Sequence, residues 1–335
     1  MNIIVTGSIA YDYLMTFPSR FAEHILPDQI ERLSVSFLVD EMRRQRGGCA
    51  ANIAYNLALL GERPRVMATV GQDFGEYRAH LEQHGVDTSL IREIPGLFTA
   101  SFFVNTDRDG NQIASFYTGA MARARDLSLH DLGQAPRAAG GQVTATSIDL
   151  VVISPNDPQA MVKYAAECRE LFIPYLYDPS QQIIRLSGDE LRAGLEGCSI
   201  LIVNEYEFEM LREKTGLTPE EIRAAAARAC IVTRGAEGSR IWAEGDVYDI
   251  PVVPPERVLD PTGVGDAFRA GFIKGLSADL PWEITGRVGA LAATYVIEQP
   301  GSQSHYYTPA EFVARFREHF DDEGMLDGLL VGGGE

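Results

Sequence analysis

Short, continuous apolar runs recur along the chain at Ile3–Val5, Val66–Val70, Leu150–Ile153, Pro174–Tyr177, Ile200–Val203 and Cys230–Thr233. Runs of this kind suit strands buried on both faces of a parallel sheet. Between them lie stretches with helical spacing: Ala50–Leu60, Gly75–His84, Gln159–Glu170, Glu205–Lys214 and Glu220–Ala229. Strand and helix alternating in this order predict a doubly wound, mostly parallel α/β sheet flanked by helices.

Two regions break the alternation. Leu33, Val35 and Phe37 follow a period of two within Arg32–Asp40, and Ser101–Thr106 and Gln112–Tyr117 flank Asp109-Gly110. An Asp-Gly pair between β-prone runs is a hairpin signal. Together these segments predict a small β-sheet outside the main one, with strands within 11–40 and 99–118, placed to act as a lid. One catalytic domain covers residues 1–335, and the segment 326–335, running into Gly332-Gly333-Gly334, is expected to fray.

Composition narrows the partners. The chain of 335 residues is 45% hydrophobic and carries 29 Lys+Arg against 47 Asp+Glu, a formal net charge of −18. Such a surface repels phosphodiester backbones, so nucleic acid is not expected as a partner. A site for an anionic nucleotide must then collect its positive potential locally. Cys49, Cys168, Cys198 and Cys230 are scattered, without the spacing of a disulfide framework or a zinc site. No stretch approaches the roughly 20 apolar residues of a membrane helix, and the expected compartment is a reducing cytoplasm.

The richest stretch for chemistry is Asp260-Pro261-Thr262-Gly263-Val264-Gly265-Asp266-Ala267-Phe268-Arg269-Ala270-Gly271-Phe272. Gly263, Val264 and Gly265 precede a helical run, so their backbone N–H groups and the helix start form an anion hole. Asp266 falls in the first turn, where a carboxylate can take the proton of an attacking hydroxyl. Taken alone, the short motif is equally compatible with Asp266 as an ordinary residue at a helix start.

A second motif decides between these readings. Gly47-Gly48-Cys49-Ala50-Ala51-Asn52-Ile53-Ala54 runs on through Leu57-Ala58-Leu59-Leu60-Gly61. With the first motif, in this order, it resembles the two signatures of the ribokinase (PfkB) family of sugar and nucleoside kinases. The resemblance spans nearly the whole chain and implies a ribokinase-like fold and transfer of a phosphoryl group from ATP. It implies Asp266 as base and Gly263, Val264 and Gly265 as anion hole. Asn204-Glu205-Tyr206-Glu207 is similar to the family's Asn-x-x-Glu element, in which Glu207 would organise Mg2+ through water. Thr233 and Gly235, with Gly238, resemble the loop that contacts the nucleotide, together with Asn204. Monovalent-cation (K+) activation is common in the family, near the loop around Asp260. Pro261 departs from the polar residue many members carry, but the anion-hole donors come later in the chain.

On the acceptor side, Asp12 follows the first strand at Gly7–Tyr11, where loops at the carboxyl ends of parallel strands bind ligands. Its carboxylate can accept hydrogen bonds from two vicinal hydroxyls. Gly48 allows close backbone approach, and Asn52 can both donate and accept. Within the family the chain is most similar to adenosine kinases of the mycobacterial type, on Val5–Ala10, Ser34–Asp40, Gln112–Tyr117, Asp178–Gln182 and Asp260–Phe272. By that similarity Ser8, Asp12, Gly48 and Asn52 would hold the ribose, and Ser36, Phe102, Phe116 and Gln182 would line the base pocket. Two aromatic rings on lid strands can sandwich a purine, whereas a free sugar needs no such sandwich. The sequence leaves two alternatives, a kinase of ribose or fructose and a non-catalytic nucleoside- or sugar-sensing module; separately, an exposed lid edge could pair with a second subunit in a homodimer. A dinucleotide-dependent dehydrogenase fits poorly, because Gly7 is the only glycine in the first strand–helix turn.

Overall fold

Residues 1–32, 34–134 and 148–331 are described by the computed structural model. Leu33 and residues 332–335, both part of the expectations above, lie outside the described residues.

The first run becomes β1 (Ile3–Thr6), followed by β2 (Ala10–Thr16) and β3 (Glu41–Gly47). The run 66–70 divides into β4 (Arg65–Met67) and β5 (Thr69–Val70), and the next strands are β6 (Arg92–Glu93), β7 (Ala100–Thr106) and β8 (Gln112–Tyr117). The second half contributes β9 (Leu150–Ile153), β10 (Tyr175–Tyr177), β11 (Ile200–Asn204), β12 (Ala229–Thr233), β13 (Ser239–Ala243) and β14 (Asp246–Ile250).

Eight of these strands form the central sheet in the order β14-β13-β12-β11-β10-β9-β1-β4. From β4 to β12 all neighbours are parallel, and β13 and β14 return antiparallel at one edge. Alternate residues of each strand feed opposite faces. Ile3 and Val5 join one apolar core with Ile200 and Ile202, while Ile4 joins the other with Leu201 and Val203. This two-sided burial is why the strands read as continuous apolar runs rather than as alternating ones.

From β1 the chain moves outward to β4 on one side and later returns to β9 on the other. The switch of direction leaves a crevice at the carboxyl ends of β1 and β9. There Ser154 N–H bonds to Thr6 C=O at 3.1 Å and Ser8 N–H to Pro155 C=O at 2.8 Å. The ligand-binding position is thereby fixed by topology before any side chain is considered.

Over this crevice stands a second sheet, β3-β2-β7-β8. The predicted Asp109-Gly110 hairpin joins β7 to β8, with Gly110 at φ 83°. The expected strand within Arg32–Asp40 is absent: residues 34–39 have no regular structure, and the strand is Glu41–Gly47 instead. Phe37 has another use, packing on Phe17 and Phe21 with ring centroids 4.9 Å apart in each case. Glu41-Met-Arg-Arg-Gln-Arg-Gly47 carries no apolar alternation because it is an edge strand held by main-chain pairing to β2, with most side chains exposed. The described part of the expected tail, residues 326–331, is folded. Asp327–Val331 is a short helix, and Leu326 and Leu329 pack into a third apolar cluster with Phe312 and Phe316.

Candidate active site

The crevice between the two sheets is a cavity of about 600 Å³ lined by Ser8, Asp12, Gly48, Asn52, Phe102, Phe116, Gln182, Asn204, Glu207, Thr233, Gly263, Gly265 and Asp266. All thirteen come from the residues singled out in the sequence. Ser36 is exposed and stands outside this cavity, in the irregular stretch before β3. Gly235 and Gly238 form the tight turn after β12 (φ 56° and 86°), just beyond the cavity-lining Thr233. Val264 is the first residue of the helix Val264–Ser277, and its side chain packs against the third apolar cluster.

Backbone geometry explains two of the glycines. Gly263 caps that helix in the left-handed region at φ 81°, and a Cβ there would meet Ser302 Cβ at 2.4 Å. Gly48 starts the helix Cys49–Leu59 at φ 96°, and its Cβ would meet Ser8 C=O oxygen at 2.6 Å. No L side chain fits either position without strain. The first intrahelical bond after Gly263 runs from Ala267 N–H to Gly263 C=O at 2.9 Å. Val264 N–H turns back to Pro261 C=O at 3.4 Å, and the N–H groups of Gly265 and Asp266 are left at the helix start beside the cavity, where they favour an anion.

Asp266 stands in this turn, only 8% exposed. Burial raises its carboxyl above the ordinary range, while the Arg269 charge and a hydrogen bond from Asn52 pull it down. Asn52, from the Gly47–Gly61 motif, donates Nδ2–H to Asp266 Oδ2 at 2.8 Å. Its amide cannot turn over, because Ser302 Oγ at 2.9 Å and Gln303 Nε2 at 2.8 Å both donate to Asn52 Oδ1. Gln303 is held in turn against Tyr77, whose hydroxyl donates to Gly47 C=O at 2.9 Å. A primary amide has two N–H groups, so one steadies the Asp266 carboxylate while Asn52, which lines the cavity, has a second to offer.

Asp12 lies on β2, and burial with Asp260 nearby raises its carboxyl to about 6. Directly paired residues of a sheet share a face. The pairings Gln45↔Asp12, Asp12↔Phe102 and Phe102↔Phe116 therefore put one carboxylate and two aromatic rings in a single row. Phe116 is 44% exposed although it lines the cavity, so its ring borders an open space rather than a filled core.

Glu207 sits three residues into the helix Glu205–Thr215. Its Oε2 accepts the Asn204 N–H at 2.8 Å, and Ser180 Oγ donates to its Oε1 at 3.0 Å. The first bond is half of a capping box, which orients the carboxylate toward the cavity. Among the described residues no three His, Cys, Asp or Glu side chains come close enough to hold a metal by themselves. That donor set, scattered carboxylates around an open cavity, fits a Mg2+ ion held mainly by phosphates and water. Asp260 spends its carboxylate on backbone, accepting from Thr262 N–H at 2.9 Å and Gly301 N–H at 2.8 Å.

Several residues that shape the site escaped the sequence reading. Ser302 and Gln303 lie in a loop with no repeating pattern. Arg269 was readable, as a lone charge in the apolar run Ala267–Phe272, and it pairs with the buried Asp178. Cys49 borders the cavity, where burial and the neighbouring Asp266 and Asp178 charges raise its thiol well above the usual range and keep it neutral.

The profile of the pfkB family carbohydrate kinases matches residues 6–309. The chain belongs to that family. As a PfkB-family kinase it is a phosphotransferase with an alcohol group as acceptor. It is 30% identical over 317 residues to a nucleoside kinase of Methanothermobacter thermautotrophicus, covering 94% of this chain and 95% of the relative. Its fold is similar to that of a Burkholderia thailandensis nucleoside kinase solved in complex with inosine: TM-score 0.81, 36% identity, 95% of this chain and 98% of that one. A Methanocaldococcus jannaschii nucleoside kinase superposes with TM-score 0.82 at 27% identity, over 95% and 99% of the two chains. The ribokinase of Thermotoga maritima, at 20% identity and TM-score 0.75, shares the fold. No helix among the described residues is long and apolar enough to cross a membrane.

Proposed function

We propose that this kinase transfers the γ-phosphoryl group of ATP to the 5′-hydroxyl of adenosine, giving AMP and ADP. The observation that carries this reading is the row Asp12–Phe102–Phe116 across the lid. It offers a carboxylate to ribose hydroxyls and two ring faces to a planar base, at spacings set by the sheet itself. Base–aromatic stacking contributes roughly 1–3 kcal/mol per base in nucleic-acid complexes. Gln182, only 7% exposed, brings an amide oxygen without a protein partner to the cavity wall, ready to accept from a base edge. That the Burkholderia thailandensis relative was solved with inosine, a purine nucleoside, supports the same class of acceptor.

The chemistry then follows from placement. Asp12, Ser8 and the free N–H of Asn52 hold the ribose with its 5′-hydroxyl toward Asp266. Asp266 accepts the hydroxyl proton as the oxygen attacks phosphorus, and the first-turn amides from Gly263 to Gly265 stabilise charge on the equatorial oxygens. Asn204, Thr233 and the Gly235–Gly238 turn border the nucleotide. Glu207 would hold Mg2+ through water, and the ion would supply charge neutralisation for the phosphates. Closure of the lid over the acceptor limits access of water to the donor.

The lid face turned away from the cavity carries Met42, Phe103 and Ile113, exposed by 63%, 37% and 41%. These supply the apolar surface for a homodimer through the lid. The deciding experiment for the acceptor is initial-rate turnover with ATP and Mg2+, comparing adenosine, inosine, guanosine, ribose and fructose. A strong preference for adenosine is expected; turnover with free sugars alone would overturn the base pocket.

A further inference from the structure

Carboxylates crowd the reaction centre. Asp12, Glu207 and Asp266 line the cavity, and Asp178 lies beneath it, fully buried. Among the lining residues only Arg185 and Arg269 are cationic. Arg269 follows Asp266 by one helical turn, which places both on the same side of the helix Val264–Ser277. It is 7% exposed and ion-paired to Asp178: Nη2 donates to Oδ1 at 2.6 Å, and Nε stands 2.5 Å from Oδ2 without a hydrogen bond between them. Its third nitrogen lies under the anion-hole turn, where a Cβ on Gly265 would meet Nη1 at 2.6 Å.

Asp178 is the residue that follows β10, and it opens the segment whose Ser180, Gln181 and Gln182 form the acceptor-side wall. Ser180 holds φ 38° there, a strained angle for a residue other than glycine. A buried ion pair is poor evidence for stability, since well-packed apolar residues often do as well. Its position is therefore the informative fact: one end sits on the acceptor wall and the other under the phosphoryl-binding turn.

We propose that Asp178 and Arg269 are a positioning pair, which clamps segment 178–182 to the catalytic helix and balances the charge of Asp266 from behind the anion hole. This rests on the reading of Asp266 as the base. The groups facing Asp266 are Arg269 on its own helix, Cys49 and Asn52 from the helix Cys49–Leu59, Glu207 from the helix Glu205–Thr215, and Asp178 after β10. Of these only Arg269 is cationic, and Glu207 opposes it. Without the guanidinium, the Asn52 hydrogen bond is the main counterweight left against burial and Glu207, so the Asp266 carboxyl titrates higher and the acid limb of kcat/KM moves to higher pH.

The test uses the full chain with ATP, Mg2+ and adenosine. Asp178→Asn combined with Arg269→Gln removes both charges of the pair, so neither is left behind without the other. The double variant is expected to fold, with its acid limb raised by about one pH unit, a tenfold loss at a pH below the limb. Arg269→Lys keeps the charge but loses the planar guanidinium that reaches both Asp178 Oδ1 and the turn at Gly265. Its limb is expected to stay in place while KM for adenosine rises several-fold, and it carries the test alone if the double variant does not fold. A double variant with the wild-type limb, or an Arg269→Lys variant with wild-type KM, would overturn the proposal. A carbon-13 NMR titration of the Asp266 carboxyl in ligand-free protein separates this from the base assignment. A higher midpoint in the double variant supports the charge role and an unchanged one sinks it, whatever the turnover. Full turnover in Asp266→Asn would instead remove the base reading alone.

Discussion

Asn52 and Asp266, 214 positions apart in sequence, are joined by a 2.8 Å hydrogen bond in which the amide can face only one way. Ser302 and Gln303 occupy Oδ1, so Nδ2 is what the carboxylate meets. Asn52→Leu is therefore expected to raise the acid limb of kcat/KM and to lower kcat at neutral pH by tenfold or more. Losing a hydrogen bond to a charged group costs about 1.5–3 kcal/mol. A pH–rate profile superimposable on wild type would show that the bond does not bear on the base.

Asp266→Asn keeps the shape of the side chain and its burial, so the fold and nucleoside binding should persist. Turnover should fall by about a thousandfold, within the usual contribution of a positioned general base. Steady-state kcat measured beside a thermal melt separates lost chemistry from lost structure.

Phe102→Ala and Phe116→Ala should each raise KM for adenosine by about 5- to 150-fold, the equivalent of 1–3 kcal/mol of stacking. KM for ATP should change little, because both rings stand on the lid. Equal effects on both substrates would make the rings packing residues of the lid.

Asp12 gives a prediction with two opposite signs. Its folded carboxyl is raised to about 6 from an ordinary 3.8. Between these values the folded state binds more protons than the unfolded one, so this group lowers stability as pH rises through that window. Asp12→Asn should raise the melting temperature at pH 7 to 8, and the gain should vanish near pH 4. The same change should weaken nucleoside binding at pH 7, because a carboxylate able to accept from both ribose hydroxyls is gone. A variant no more stable than wild type at pH 8 would contradict the raised carboxyl.

Replacing Phe103 and Ile113 on the outward lid face with Lys should convert a dimer to a monomer. Light scattering from the wild-type protein that gives the mass of one chain would reject the lid interface outright.

How much of this was legible depends on what each residue does. The central strands were readable because burial on both faces demands unbroken apolar runs, and the helix starts because Gly263 and Gly48 occupy angles few other residues tolerate. β3 was misplaced because an edge strand with solvent-facing side chains needs only main-chain pairing, and Arg-Arg-Gln-Arg carries no periodic signal. Phe37 misled for the converse reason: its apolar side chain serves a local aromatic cluster instead of a sheet. Ser36 stands exposed, outside the cavity that gathers Phe102, Phe116 and Gln182. The Ser302–Gln303 clamp left no trace in the pattern, since a loop that positions one amide repeats nothing.

The clamp also ties Asp266 to parts of the chain far apart in sequence. Gln303 reaches Asn52 across 251 residues, so Asp266 acquires its full set of contacts only when these two distant segments have met. During synthesis the nucleotide-facing turn at Gly263–Gly265 leaves the ribosome before residue 303 does. Until that loop docks, Asn52 lacks the partners that fix its amide against Asp266.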